Sequence, residues 1–393
     1  MNGDKTVHTS GAASSHQSMI LFRSIKKTFD PGQNINIGWF GAFIVFFIGS
    51  YTLFLFGKRV VFPDIAFDTI HYHFFLGKSG FESIPQMFKP SEFFPLGMHS
   101  LNPLLDTANY VAFELIGYRF GTLLSCIFLI GSFVLSIGIV SRVTQSQVST
   151  FGAIFIIPAL IVNEGLFQVA TYYIDNHYTF LALSYVYILM GHETSESNKA
   201  FLFRLLSLGF VASLLITKLT NVIYMIPFFF GSIYLSFFKW KIFFKQGTAK
   251  QTGLLGILVF ILPIVASTGW HFFEAYRFTG NPVFPYYNGI FKSIYYPSHS
   301  WHFNFGPQNV LERIIYPYLA FVDPVRLGEV KDLFPDTKIL TTFVFAIVAA
   351  AALLLFKCQL NKKEITFLFI TFGSFFLWQV LFGYSRYGIA LEV

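Results

Sequence analysis

Residues 38–57 read Gly38-Trp39-Phe40-Gly41-Ala42-Phe43-Ile44-Val45-Phe46-Phe47-Ile48-Gly49-Ser50-Tyr51-Thr52-Leu53-Phe54-Leu55-Phe56-Gly57, and none of them carries a formal charge. A helix rises about 1.5 Å per residue, so roughly 20 apolar residues reach across a hydrocarbon layer of about 30 Å. The run is too long for the apolar region of a secretory signal, roughly 7–15 residues. It follows a polar, Gly/Ser-rich segment, residues 1–37, expected to be disordered and cytoplasmic. We read it as an uncleaved anchor.

Further apolar runs lie near 120–140, 150–171, 177–191, 201–217, 221–238, 252–271, 339–356 and 365–383. The expected fold is all-α, a polytopic transmembrane helical bundle of about 9–10 spans. Composition agrees: 54% of the residues are hydrophobic and only 12% charged, against about a quarter charged in soluble domains. The net charge of +7 does not call for nucleic acid as a partner. Lysines and arginines gather in short loops between apolar runs, which is how topology is encoded. Two cysteines, Cys126 and Cys358, sit in or at the end of apolar runs and support neither a disulfide nor a metal site.

Lys239, Lys241, Lys245 and Lys250 make one loop basic, Lys357, Lys362 and Lys363 another, and Arg23, Lys26 and Lys27 mark the N-terminal segment. All three are expected in the cytoplasm, which puts Asp68 and Asp175 on the outer side. Two crossings then separate the aspartates. Segment 98–117, with His99, Asn102, Asp106, Asn109 and Glu114, is too polar for a lipid-facing span. It becomes a juxtamembrane piece of the first outer loop; the alternative makes it a span and 150–171 partly re-entrant. The expected organisation is a transmembrane module over 38–271 that includes the first outer loop 58–119, a second outer loop 272–338, and C-terminal spans over 339–393. Both outer loops should carry juxtamembrane helices. Acidic and basic residues are equal in number in the second loop.

The first outer loop begins with Phe62-Pro63-Asp64-Ile65-Ala66-Phe67-Asp68-Thr69-Ile70-His71-Tyr72-His73. On a helix Asp68 shares a face with Tyr72 and with Asp64. A carboxylate here could act as a general base on an acceptor, or join a histidine around a divalent ion. A divalent cofactor, if used, would draw on Asp68, His71 and His73. The plain alternative is a solvated interfacial helix with aromatic anchors. Asp175, in Tyr173-Ile174-Asp175-Asn176-His177, could be a helix N-cap or a second functional acid. Lys218 lies between two apolar runs on the outer side, against the positive-inside trend. It is either a snorkelling lysine or a point charge for a phosphate. His271 opens the second outer loop, followed by Thr279-Gly280-Asn281-Pro282-Val283-Phe284-Pro285, a strong turn signal. Arg386 and Tyr387 follow the last apolar run, and the arginine could grip a phosphate or anchor the helix. Glu164, inside an apolar run, is a functional candidate by its placement. No P-loop, GxGxxG, HExxH or GxSxG motif is present, which argues against an ATP-driven pump and the common hydrolase plans.

In this order, these motifs resemble the GT-C class of membrane glycosyltransferases, in particular the bacterial polyprenyl-phosphate-sugar-dependent enzymes related to aminoarabinose and mannosyl transferases. The resemblance covers most of residues 38–390. It implies a sugar taken from a polyprenyl-phosphate carrier at the outer face of a bacterial inner membrane. The acceptor would be a lipid, glycan or protein, the remaining partners membrane lipids. Asp68 matches the acid that acts as base or orients the acceptor, with Asp64 in reserve, and Asp175 matches the second acidic position. Lys218 and Arg386 match the basic positions near the carrier phosphate. His71, Tyr72, His271, Asn281 and Tyr387 are expected to line the substrate. Many relatives carry an Asp-Glu pair where this chain has Asp68-Thr69, and they usually continue with more spans beyond Arg386-Tyr387, so a shortened chain is expected here. A transporter or lipid flippase, or a noncatalytic assembly protein of the same fold, is the competing expectation.

Overall fold

The computed structural model describes residues 39–62, 64, 68–82, 101–145, 168–192, 197–245, 249–296, 307, 309–323, 340, 343–344, 347–348 and 359–381. Among the described residues every regular element is helical and none is a strand. Four helical stretches are long and apolar enough to cross a membrane: Tyr118–Thr144, Leu219–Ser236, Leu255–Thr279 and Lys362–Leu381. These make the chain a membrane protein. The segments 1–37, 150–167 and most of 339–356 lie outside the described residues, as does Glu164.

The first apolar run forms α1, Trp39–Val61. Its Phe43, Phe46, Phe47 and Phe54 stay exposed, which costs nothing where the surrounding solvent is hydrocarbon. After it come a π-helical turn, Thr69–His73, and α2, Phe74–Glu82. Next is α3, Leu104–Ile116. Its 13 residues span only about 20 Å, too short to cross. Gly117 ends it at φ 84°, a backbone region that glycine enters without strain. The short α4, Tyr118–Gly121, and the long α5, Leu123–Thr144, follow.

At the centre lies α6, Asp175–Met190. It packs along α5 on one side and on the other against α7, Asn198–Leu215. Nearly all of its residues are buried, the mark of a helix enclosed by other helices. The apolar run expected to cross at 177–191 forms this helix of 16 residues, enclosed by its neighbours. Tyr185 of α6 stacks on Phe228, with ring centroids 4.8 Å apart. Phe228 belongs to α8, Val222–Lys245.

Then α9, Ala249–Ile264, a second π-helical turn, Val265–Gly269, and α10, Trp270–Thr279, run on as one rod. α9 lies against α7 at Gly209, where a Cβ would come within 2.5 Å of the Phe260 carbonyl oxygen. Small residues at such crossings let backbones approach. The short α11, Asn288–Phe291, and α12, Val310–Val322, precede α13, Lys362–Leu381, which packs on α8. α13 starts with a reciprocal cap: Asn361 N donates to Glu364 Oε2 at 2.7 Å, and Glu364 N donates to Asn361 Oδ1 at 2.9 Å.

Two glycines set the position of the polar centre. Gly77 and Gly80, one turn apart on α2, both face α3. A Cβ on Gly77 would lie 2.5 Å from the Asp106 carbonyl oxygen, and one on Gly80 2.9 Å from Pro103 Cβ. The contact brings the end of the first π-helical turn against the first turn of α3.

Candidate functional site

His73 closes that π-helical turn and meets Asp106 of α3. Nδ1 lies 2.6 Å from Asp106 Oδ1, with the side chains 5% and 2% exposed. Asp106 stands one turn after Asn102 and one before Asn109, and all three are buried. The inward face of α3 thus carries polar groups beside buried Leu105 and Tyr110, while Leu104, Leu115 and Ile116 are exposed. Asn102 Nδ2 donates to the Ser267 carbonyl in the second π-helical turn at 3.4 Å. Both π-helical turns therefore adjoin this cluster, as π-bulges often adjoin functional sites.

Asp68 is buried and accepts from the Tyr72 hydroxyl at 3.1 Å, the i, i+4 pairing that its spacing called for. Asp64 is buried as well. Its Oδ2 accepts from Thr69 Oγ1 at 2.8 Å and from the Tyr172 backbone N at 3.0 Å, and its carbonyl accepts from the Tyr118 hydroxyl. Asp64 thus ties the segment that follows α1 to the chain that enters α6.

Asp175 is the first residue of α6, and Ile174, not Asp175, holds the N-cap position. Its carboxylate bonds to Lys218 Nζ, with side-chain exposures of 6% and 20%. Lys218 is therefore no simple snorkelling lysine. Its ammonium also lies 5.5 Å from the Tyr178 ring centroid, and the Tyr178 hydroxyl bonds Thr217 Oγ1 at 2.7 Å. A carboxylate at a helix N-terminus also meets the positive end of the helix dipole. One turn further in, His177 Nε2 donates to Asn109 Oδ1 at 3.0 Å, and Asn109 Nδ2 donates to the Tyr172 carbonyl at 3.1 Å.

These pairs form one electrostatic unit. Burial pushes the Asp106 carboxyl above the usual carboxylate range. The His73 ring pulls it back down, as does Lys218, while Asp175 adds a push upward. Aromatic rings wall the unit: Tyr72 and Tyr173 lie 4.2 and 5.3 Å, centroid to centroid, from His73.

The other expected site residues are placed as follows. His271 is buried in α10. Asn281 is fully buried: its Nδ2 donates to the Tyr286 carbonyl at 2.8 Å and its Oδ1 accepts from Val283 N at 3.0 Å. Its amide is engaged in holding the turn, which is structural work. The backbone of His71 is part of the π-helical turn, but its side chain lies outside the described residues, as do Arg386 and Tyr387. Among the described residues no three His, Cys, Asp or Glu side chains gather as a metal site would need. Asp106 was legible only as an obstacle to a span. The signal was the spacing of Asn102, Asp106 and Asn109, which puts polar groups on one helical face.

No family model, curated protein or solved structure matches this chain.

Proposed function

We propose that the protein is a membrane glycosyltransferase that moves a sugar from a polyprenyl-phosphate carrier to an acceptor at the outer face of a bacterial inner membrane. Its N-terminus would be cytoplasmic and its bundle would hold about 9–10 spans. The observation that supports this best is the group of buried Asp68, His73, Asp106 and Asp175 with half-buried Lys218, drawn from four separate segments. Ionisable side chains within a membrane bundle are costly and mark functional sites by default. Those gathered here are also the kinds that a displacement at an anomeric carbon needs.

Asp68 orients the acceptor or serves as its base. The acceptor attacks the anomeric carbon from the side opposite the phosphate, so configuration inverts. A lipid phosphate is already a good leaving group, and little acid catalysis is required. Lys218 meets the charge that grows on it, an electrostatic contribution to the transition state.

The test uses purified protein in proteoliposomes with a tritiated polyprenyl-phosphate sugar. Wild type should release sugar to acceptor. Asp68→Asn should lose about 10²–10⁴-fold in rate while keeping its membrane insertion and abundance. Full activity in Asp68→Asn would remove that residue from the site. No release by wild type across several sugars would favour transport or a noncatalytic role.

A further inference from the structure

We infer that the His73–Asp106 pair takes the proton from the acceptor, leaving Asp68 to orient that acceptor; this rests on the transferase function proposed above.

An ionised carboxylate only accepts hydrogen bonds. With Asp106 ionised, its oxygen 2.6 Å away accepts from Nδ1 and so places the proton of a neutral His73 there. The second ring nitrogen, Nε2, keeps its lone pair, the arrangement a histidine base needs. No described residue hydrogen-bonds to Nε2. Nε2 is also not one of the buried, partnerless side-chain atoms, so it keeps some accessible surface at which a substrate hydroxyl or amine can meet it. The carboxylates expected to do this work each also hold a hydrogen bond of the fold. Asp68 accepts from Tyr72, and a single oxygen of Asp64 accepts from both Thr69 and the Tyr172 backbone.

Charge balance points the same way. The groups that act on Asp106 are His73, Lys218 and Asp175. With His73 neutral, two carboxylates face one ammonium. A proton on Nε2 brings that group to neutrality, and Asp106 stabilises the imidazolium so formed. His177 lies close enough to feel the charge of His73. Tyr72 and Tyr173 flank the ring, and Asp68 sits on the preceding turn.

The step balances. The acceptor O–H or N–H bond breaks and its proton goes to His73 Nε2. The freed electron pair forms the bond to the anomeric carbon. The bond from that carbon to the carrier phosphate oxygen breaks, and its electrons stay on the phosphate beside Lys218. His73 then returns its proton to water. Asp106 is a positioning residue: it acts through His73.

The experiment measures tritiated sugar transfer from a polyprenyl-phosphate hexose and a polyprenyl-phosphate pentose. It uses the full chain in proteoliposomes with a membrane extract as acceptor pool. His73→Ala should lower the rate at saturating donor about 10²–10⁴-fold with donor KM unchanged, and added imidazole should restore part of the rate. Asp106→Asn should lower the same rate, again at unchanged donor KM, without rescue by imidazole. His73→Gln keeps an N–H for Asp106 but has no basic nitrogen. It should fold and be slow, which covers a His73→Ala protein that fails to fold. Full transfer by the His73 variants, with Asp68→Asn inactive, overturns the pair and leaves the transferase standing. Loss that imidazole does not restore, in a His73→Ala protein that melts like wild type, also overturns it. No transfer by wild type from either donor overturns the transferase and, with it, this task for the pair.

Discussion

Two helices of equal length, α3 and α12, are both two-faced, and their buried faces differ in kind. Each has 13 residues, and each leaves apolar side chains exposed: Leu104, Leu115 and Ile116 on α3, and Val310, Leu311, Ile314 and Tyr318 on α12. Inward, α12 buries Tyr316, whose ring lies 5.8 Å from that of Trp378 on α13. α3 buries Leu105 and Tyr110 as well, but beside them it buries Asp106 and Asn109, with Asn102 just ahead of its start. Apolar burial of the α12 kind stabilises wherever it occurs. Burial of a carboxylate is costly unless every partner is in place. The contrast separates a helix that anchors from one that builds a site.

The sharpest way to break this comparison is Asp106→Ala. It should destabilise the protein by about 3–5 kcal/mol, the usual cost of removing one partner of a buried pair. Tryptophan-monitored melting in detergent reads this. A loss no larger than that of a surface change on α12 would end the distinction. Next comes Gly77→Ala, whose Cβ would meet the Asp106 carbonyl oxygen at 2.5 Å and Tyr110 Cβ at 2.8 Å. Overpacking of this kind costs about 1–3 kcal/mol. Sugar transfer should fall by more than the melting shift alone implies, because α2 carries His73 to α3. Transfer that merely tracks stability would show that the spacing of the two helices is not what matters.

A double-mutant cycle on Asp175→Asn and Lys218→Met sharpens the electrostatic side. Lys218 keeps some solvent contact, so a coupling of about 1 kcal/mol is expected. A coupling near zero would make the pair an accident of packing. The smallest effect belongs to α12. Ile314→Ser, on its exposed face, should change stability in detergent by no more than about 0.5 kcal/mol. A larger loss would mean that this face is covered in the folded protein.

How far the sequence showed these features depends on the range of the interaction that makes them. Apolar runs are local, so the helices around 120–140, 221–238, 252–271 and 365–383 could be read directly. The i, i+4 link between Asp68 and Tyr72 is local too. Lys218 stood out as a cation against the positive-inside trend, and Asp175 as a helix N-cap or a second functional acid. Their pairing spans 43 residues, and no local pattern records it. His73 and Asp106 are 33 residues apart, and the polar face of α3 looked like a defect in a span because its burial depends on elements far along the chain. Asn281 shows the reverse. Its Gly-Asn-Pro setting signalled a turn, and the buried amide holds that turn together.

The bond from the Tyr172 backbone to Asp64 joins residues 108 positions apart, and that distance imposes a schedule on synthesis. At about 5–20 residues per second, Asp64 waits roughly 5–20 s for Tyr172 to emerge, and longer for Lys218. Through that interval the carboxylates of the segment that follows α1 have neither this partner nor the lysine. They must remain hydrated beside the insertion machinery while the apolar helices behind them enter the bilayer. The polar centre thus cannot close until Lys218, 154 residues after Asp64, has been made.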